Sequence, residues 1–189
     1  MKKIVIVCCA LLFSLQMFTV AAGAIEVAGV SLAKTVSVHD RTLNLNGYGI
    51  RKKFFVKVYV GSLYATVRLT SAAAALSDNG DKLIRMNFIH SRVGKEKIVN
   101  AFAEGLADNA PDVSGSAEAK QFLSLFKNDF VKGDVVDLFL GGTGAVSVYH
   151  NGRNLGDIKD PRLARGVLLI YLGNNPADDD LKSGMLAGR

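Results

Sequence analysis

The sequence has 189 residues, 49% of them apolar, and carries 23 Lys and Arg against 17 Asp and Glu, a formal net charge of +6. Apart from Arg51-Lys52-Lys53 the cations are scattered among acids, which argues against nucleic-acid binding. The only cysteines are the adjacent Cys8 and Cys9, so neither a disulfide framework nor a cysteine metal site is expected.

Met1-Lys2-Lys3 precedes the unbroken apolar run Ile4 to Phe13, and a weaker apolar stretch ends in Ala22-Gly23-Ala24. This is the layout of a secretory signal peptide over residues 1–24, with small residues at Ala22 and Ala24 suited to signal peptidase. A membrane anchor is the competing reading, but no cationic stop follows the apolar run. Cleavage after Ala24 removes both cysteines and leaves 25–189 as one domain, long enough to bury roughly two thirds of its unfolded surface without staples. No later apolar run approaches the roughly 18 residues of a membrane span. The mature protein is therefore expected to be soluble and periplasmic.

Strands dominate from Ile25 to Tyr64. Val36 and Val38 mark the first, His39-Asp40-Arg41 a turn, and Leu43 and Leu45 alternate with Asn44 and Asn46 before a Gly47-Tyr48-Gly49 break. From Ile50 the alternation reads as one strand. Ile50, Phe54, Val56, Val58 and Val60 share one parity, and Arg51, Lys53, Phe55, Lys57 and Tyr59 the other. A short helix is predicted over Ser71 to Leu76, ending at Asp78-Asn79-Gly80, and Ile84, Met86 and Phe88 share a face of the next strand. Helical periods follow. Lys95 to Asp108 aligns Ile98, Ala101, Phe102, Gly105 and Leu106, and Ala117 to Val131 aligns Phe122, Leu125, Phe126 and Phe130. Strands return over Val135 to Leu140 and Ala145 to Tyr149, with an Asn151-Gly152 hairpin turn after them. The last long helix has Asp160 as N-cap, Pro161 at its first position and Gly173 with Pro176 as its stop; it is apolar nearly all round and should be buried. Asp178, Asp179 and Asp180 mark the start of a terminal helix. The class is α+β, an antiparallel sheet with helices on one side.

Catalytic signatures are scarce. His39, His90 and His150 have no partner at metal-ligand spacing, so surface or edge histidines are the economical reading and no metal or other cofactor is expected. Ser62 lacks the glycine-bracketed elbow of a hydrolase nucleophile. Gly141 to Gly144 precedes a strand, whereas a phosphate loop opens a helix. What remains is the strand face with Arg51, Lys53, Phe55, Lys57 and Tyr59. It is either an ordinary solvated surface or the lining of a site for an anionic, partly apolar molecule.

The run from Gly49-Ile50-Arg51 through Lys57-Val58-Tyr59-Val60-Gly61-Ser62-Leu63-Tyr64 resembles the bacterial chalcone isomerase-like proteins. So do Glu104-Gly105-Leu106, Lys132-Gly133-Asp134, Leu155-Gly156-Asp157-Ile158, Tyr171-Leu172-Gly173 and Pro176. The resemblance implies an open-faced β-sandwich, a curved antiparallel sheet covered on one side by a layer of helices, with a ligand cleft between the layers. That family contains isomerases, which close a chalcone to a flavanone, and non-catalytic members that bind fatty acids. Arg51 matches the arginine that both kinds use. Tyr59 falls near the position where isomerases place a threonine and lipid-binding members a tyrosine. Gly94 stands where isomerases begin a helix with a catalytic tyrosine, Asn100 lies near the family's asparagine, and Ile170 replaces a substrate-contacting threonine or serine. The resemblance thus implies an anion site without the donors for ring closure.

The expected function is binding of a small amphipathic anion, a fatty or aromatic acid, by Arg51, Tyr59, Phe55, Asn100 and Ile170. The alternative is an intramolecular lyase acting on a chalcone or another enone, with Arg51 and Tyr59 as its electrostatic groups. A third reading is a protein-interaction partner at the envelope whose layers are packed solid.

Overall fold

The computed structural model describes residues 24–187. The expected signal peptide and both cysteines lie outside the described residues, but for Ala24. Strands β1 (Ile25–Val27) and β2 (Val30–Leu32) pair with each other, and β3 (Thr35–Val38), β4 (Arg41–Lys53) and β5 (Val56–Ala65) follow. Ser71 caps α1 (Ala72–Ser77) by accepting from the Ala74 amide, and β6 (Lys82–Phe88) then lies beside β5. A helical insert comes next: strand β7 (Arg92–Val93), helices α2 (Lys95–Asn109), α3 (Pro111–Ser114) and α4 (Ala117–Ser124), and strand β8 (Phe130–Val131), which pairs with β7. The chain ends in β9 (Val135–Leu140), β10 (Ala145–His150), β11 (Arg153–Lys159), α5 (Pro161–Leu172) and α6 (Asp179–Met185).

The main sheet has seven strands in the order β11-β10-β9-β6-β5-β4-β3, and every neighbouring pair is antiparallel. Bulges in the β4–β5 and β10–β11 pairings bend it. One face buries Leu63, Ile84, Met86 and Leu138 against Ile98, Phe102 and Leu106 of α2 and Val167 and Ile170 of α5. From Gly166 onward α5 is buried or half-buried on every side because it lies against both β10 and α2, while Pro161, Arg162 and Arg165 are exposed. The fold is therefore the α+β sandwich expected. Its other face is apolar as well, for Leu43, Leu45, Val60 and Tyr64 pack with Leu32 of the β1–β2 hairpin.

Three local expectations need correction. The apparent strand from Ile50 to Val60 is two strands joined by the turn Phe54-Phe55. A two-residue turn pairs Lys53 with Val56 and so exchanges the parities, but the bulge between Arg51 and Lys52 exchanges them back. Ile50 therefore faces Val60, and Arg51 faces Tyr59, so an uninterrupted alternation survives a chain reversal. The break expected at Gly47-Tyr48-Gly49 is continuous strand. Its glycines admit α6, since a Cβ on Gly47 would strike the Gly184 and Met185 carbonyls and one on Gly49 would lie 2.9 Å from the Leu181 Cα. The helix expected to reach Val131 stops at Ser124. Phe126 and Phe130 are buried from a loop and from β8, with Phe130 stacked on Phe88 at 4.6 Å. Burying each ring contributes about 1.5–3 kcal/mol, well above the few tenths by which helix propensities differ, so packing decides the backbone there.

Candidate functional site

Between the sheet and α2 lies a cavity of about 500 Å3, within the roughly 300–1,000 Å3 of small-molecule pockets. The layers are therefore not packed solid. Arg51 and Tyr59, cross-strand partners on β4 and β5, form its floor together with Met86 of β6. Ile98, Asn100, Ala101 and Phe102 of α2 make one wall, and Ile170 and Tyr171 of α5 close the end. Lys53, Phe54 and Val56 form an exposed rim, with Arg92 and Lys97 also on the lining.

Arg51 is 9% exposed, and its Nη1 donates to the Ala177 carbonyl at 3.1 Å. It forms no ion pair among the described residues. A guanidinium has five donors, so a largely desolvated cation keeps unused capacity facing the cavity. Glu104 is the one carboxylate on a lining that carries Arg51, Lys53, Arg92 and Lys97. Arg92 is committed to Asp129, at 2.7 and 2.9 Å. The same carboxylate accepts from the Lys95 amide at 3.0 Å, capping α2 in place of Gly94, which has no side chain to do so.

Tyr59 and Tyr171 are 4% and 1% exposed. The Tyr171 hydroxyl donates to the Met86 sulfur at 3.2 Å. Burial raises both phenols above their ordinary value of 10.0, Tyr171 well above it, while the Arg51 charge opposes the rise. Both are therefore neutral near neutral pH and do not act as phenolates; the Tyr59 hydroxyl can donate to an anion beside Arg51, whereas the single Tyr171 proton is engaged by Met86.

Of the residues singled out from sequence, Arg51, Tyr59, Asn100 and Ile170 line one cavity. Phe55 does not, because it sits on the turn and is fully exposed, at 101%. Its neighbour Phe54 is the lining residue. Lys57 is exposed and off the lining. Met86 has no sequence signal beyond apolar periodicity and Tyr171 enters only through the Tyr171-Leu172-Gly173 motif, with no site role attached, whereas Ile98 and Phe102 belong to the predicted α2 stripe. His90 touches the cavity, His39 bonds the Tyr149 hydroxyl at 2.8 Å, and His150 lies 3.2 Å from Asp134. No cluster able to hold a metal ion occurs among the described residues. No helix among them is long and apolar enough to cross a membrane.

Comparison with known proteins agrees with this architecture. Fatty-acid-binding protein 1 of Arabidopsis thaliana is 24% identical over 171 residues, covering 84% of this chain and 61% of its own length. The chain thus spans about three fifths of the relative it matches. The crystal structure of an Arabidopsis thaliana fatty-acid binding protein superposes with a TM-score of 0.67 at 20% identity, over 86% of this chain and 95% of that one. At that identity the likeness is one of fold. The model of the family described as chalcone isomerase-like matches residues 24–187, the whole sheet-and-helix domain, and the chain belongs to that family.

Proposed function

We propose that this protein is an exported, periplasmic bacterial member of its family that binds a small amphipathic anion, a fatty or aromatic acid, without catalysing its conversion. The observation that carries this reading is Arg51, a buried cation with one carbonyl partner, set in an otherwise largely apolar cavity. Its fork matches a carboxylate bidentately. The Tyr59 hydroxyl supplies a neutral donor beside it, and Ile98, Phe102, Met86 and Ile170 supply the surface for a tail. The names of the relatives support a fatty acid as ligand, and the N-terminal apolar run supports export. Ring closure of a chalcone needs polarising donors at the carbonyl, and Gly94 and Ile170 offer none.

Native mass spectrometry of the protein isolated from the periplasm tests the proposal, backed by displacement of a fluorescent fatty acid. A co-purified acid, or saturable displacement by acids of one chain-length class, is the expected result. An empty protein that binds no member of the panel would refute it.

A further inference from the structure

The β4–β5 turn spends its most apolar residues on solvent. Phe54, Phe55 and Val56 are 87%, 101% and 44% exposed and contiguous. Phe54 also holds φ at +56°, the left-handed backbone that glycine or asparagine adopts at such a tip with least strain. A turn selected for stability alone would carry neither ring. The tip projects beyond the sheet, for the pairing of β6 with β5 ends at Tyr59 and β3 pairs only with the far end of β4. Three lysines surround the rings. Lys52 is met by Asp178 at its amide and Asp180 at its ammonium, 2.9 and 3.3 Å away, whereas Lys53 lies over the Phe54 ring at 5.9 Å and Lys57 is exposed, and neither forms an ion pair among the described residues. Lys53, Phe54 and Val56 are also the rim of the cavity.

We infer that this tip docks the protein on an anionic lipid surface, its rings entering the headgroup region and its lysines meeting the lipid charge. Exposed aromatic surface gains by leaving water, and cations gain near an anionic leaflet, without a shaped partner for either. The coincidence of tip and rim favours a bilayer over a protein partner, because docking then turns the cavity mouth toward the phase in which an amphipathic acid is dissolved. The docking rests on the tip itself, and only its consequence for ligand uptake rests on the acid-binding reading.

Flotation with vesicles of phosphatidylcholine alone, and of equal parts phosphatidylcholine and phosphatidylglycerol, tests it. The wild type should float with the mixed vesicles at low salt, far less with the neutral ones, and progressively less as salt screens the lysines. Phe55→Ser should weaken flotation about tenfold, and Lys57→Glu about thirtyfold at low salt, a reversal of two charge units. Both residues are exposed and off the cavity lining, so both variants should displace a fluorescent fatty acid as the wild type does in the absence of vesicles. Arg51→Met should show the converse, weakened acid binding with unchanged flotation. Equal binding of wild type and Phe55→Ser to the mixed vesicles, or none by the wild type, overturns the docking. So does a wild-type dimer in sedimentation velocity that Phe55→Ser dissociates while neither protein floats, since the tip would then join two copies. Flotation that persists in a protein binding no acid would refute the acid-binding reading and leave the docking standing.

Discussion

Replacing Arg51 by Met removes the guanidinium while keeping an unbranched apolar stem in the same space. A carboxylate on the arginine fork accepts two charge-assisted hydrogen bonds, each worth about 1.5–3 kcal/mol. Arg51 is already largely out of water, so the net loss should be about 3 kcal/mol, a roughly hundredfold weaker acid. At an acid concentration one hundred times its dissociation constant the wild type gains about 2.7 kcal/mol, or about 5–10 °C in unfolding midpoint for a domain of this size. The variant at that concentration gains about 0.4 kcal/mol, roughly 1 °C. Without ligand the two midpoints should agree to within about 3 °C, because the Ala177 carbonyl loses its donor while a desolvated charge disappears. Differential scanning fluorimetry with and without a long-chain acid measures all four states. Equal ligand-induced shifts in the two proteins would show that Arg51 does not hold the acid, and the reasoning from its burial would fail.

Gly184→Ala should lower stability by about 3 kcal/mol or more, since the new Cβ meets the Tyr48 carbonyl and no flexible side chain is there to yield; a denaturation midpoint equal to that of wild type would mean α6 does not sit against β4. Acid should destabilise the fold through Asp78, held low by the Lys82 hydrogen bond, and Asp129, held low by the Lys95 amide and Arg92. A carboxyl depressed by folding contributes above its unfolded value and loses that contribution as pH falls through the folded one. Midpoints should therefore be level from neutrality to about pH 5 and fall below about pH 4, less steeply in Asp129→Asn; identical slopes would refute the assignment. Chalcone absorbance should decay at the spontaneous rate with wild type and Arg51→Met alike, and an Arg51-dependent acceleration would instead favour the lyase.

Sequence periodicity makes α5 legible, because Asp160, Pro161 and Gly173 punctuate it and its apolar run from Val167 to Leu172 calls for burial on every side. Arg51 and Tyr59 are legible as a pair on one face, but parity puts Phe55 on that face too, where the structure has it on the exposed turn. A bulge leaves no compositional mark, and here it cancels the parity change that would have revealed the hairpin. Phe126 and Phe130 keep helical spacing after the helix has ended, since a core accepts a ring from any backbone. The Asp129 cap on α2 joins residues 34 apart, and the Tyr171 hydroxyl depends on where α5 meets β6; contacts of that kind are set by tertiary placement, which local pattern does not encode.

The hydrogen bond from Arg51 to Ala177 spans 126 residues, and the glycine contacts of α6 with β4 are as distant. In folding terms the anion end of the cavity is a late product. The hairpin can form early from local contacts, but Arg51 acquires its carbonyl only after nearly the whole chain has been delivered and the last helix has closed on the sheet. The anion end of the cavity is thus completed by the C-terminal segment, since no stretch of chain that stops short of Ala177 contains both partners of that bond.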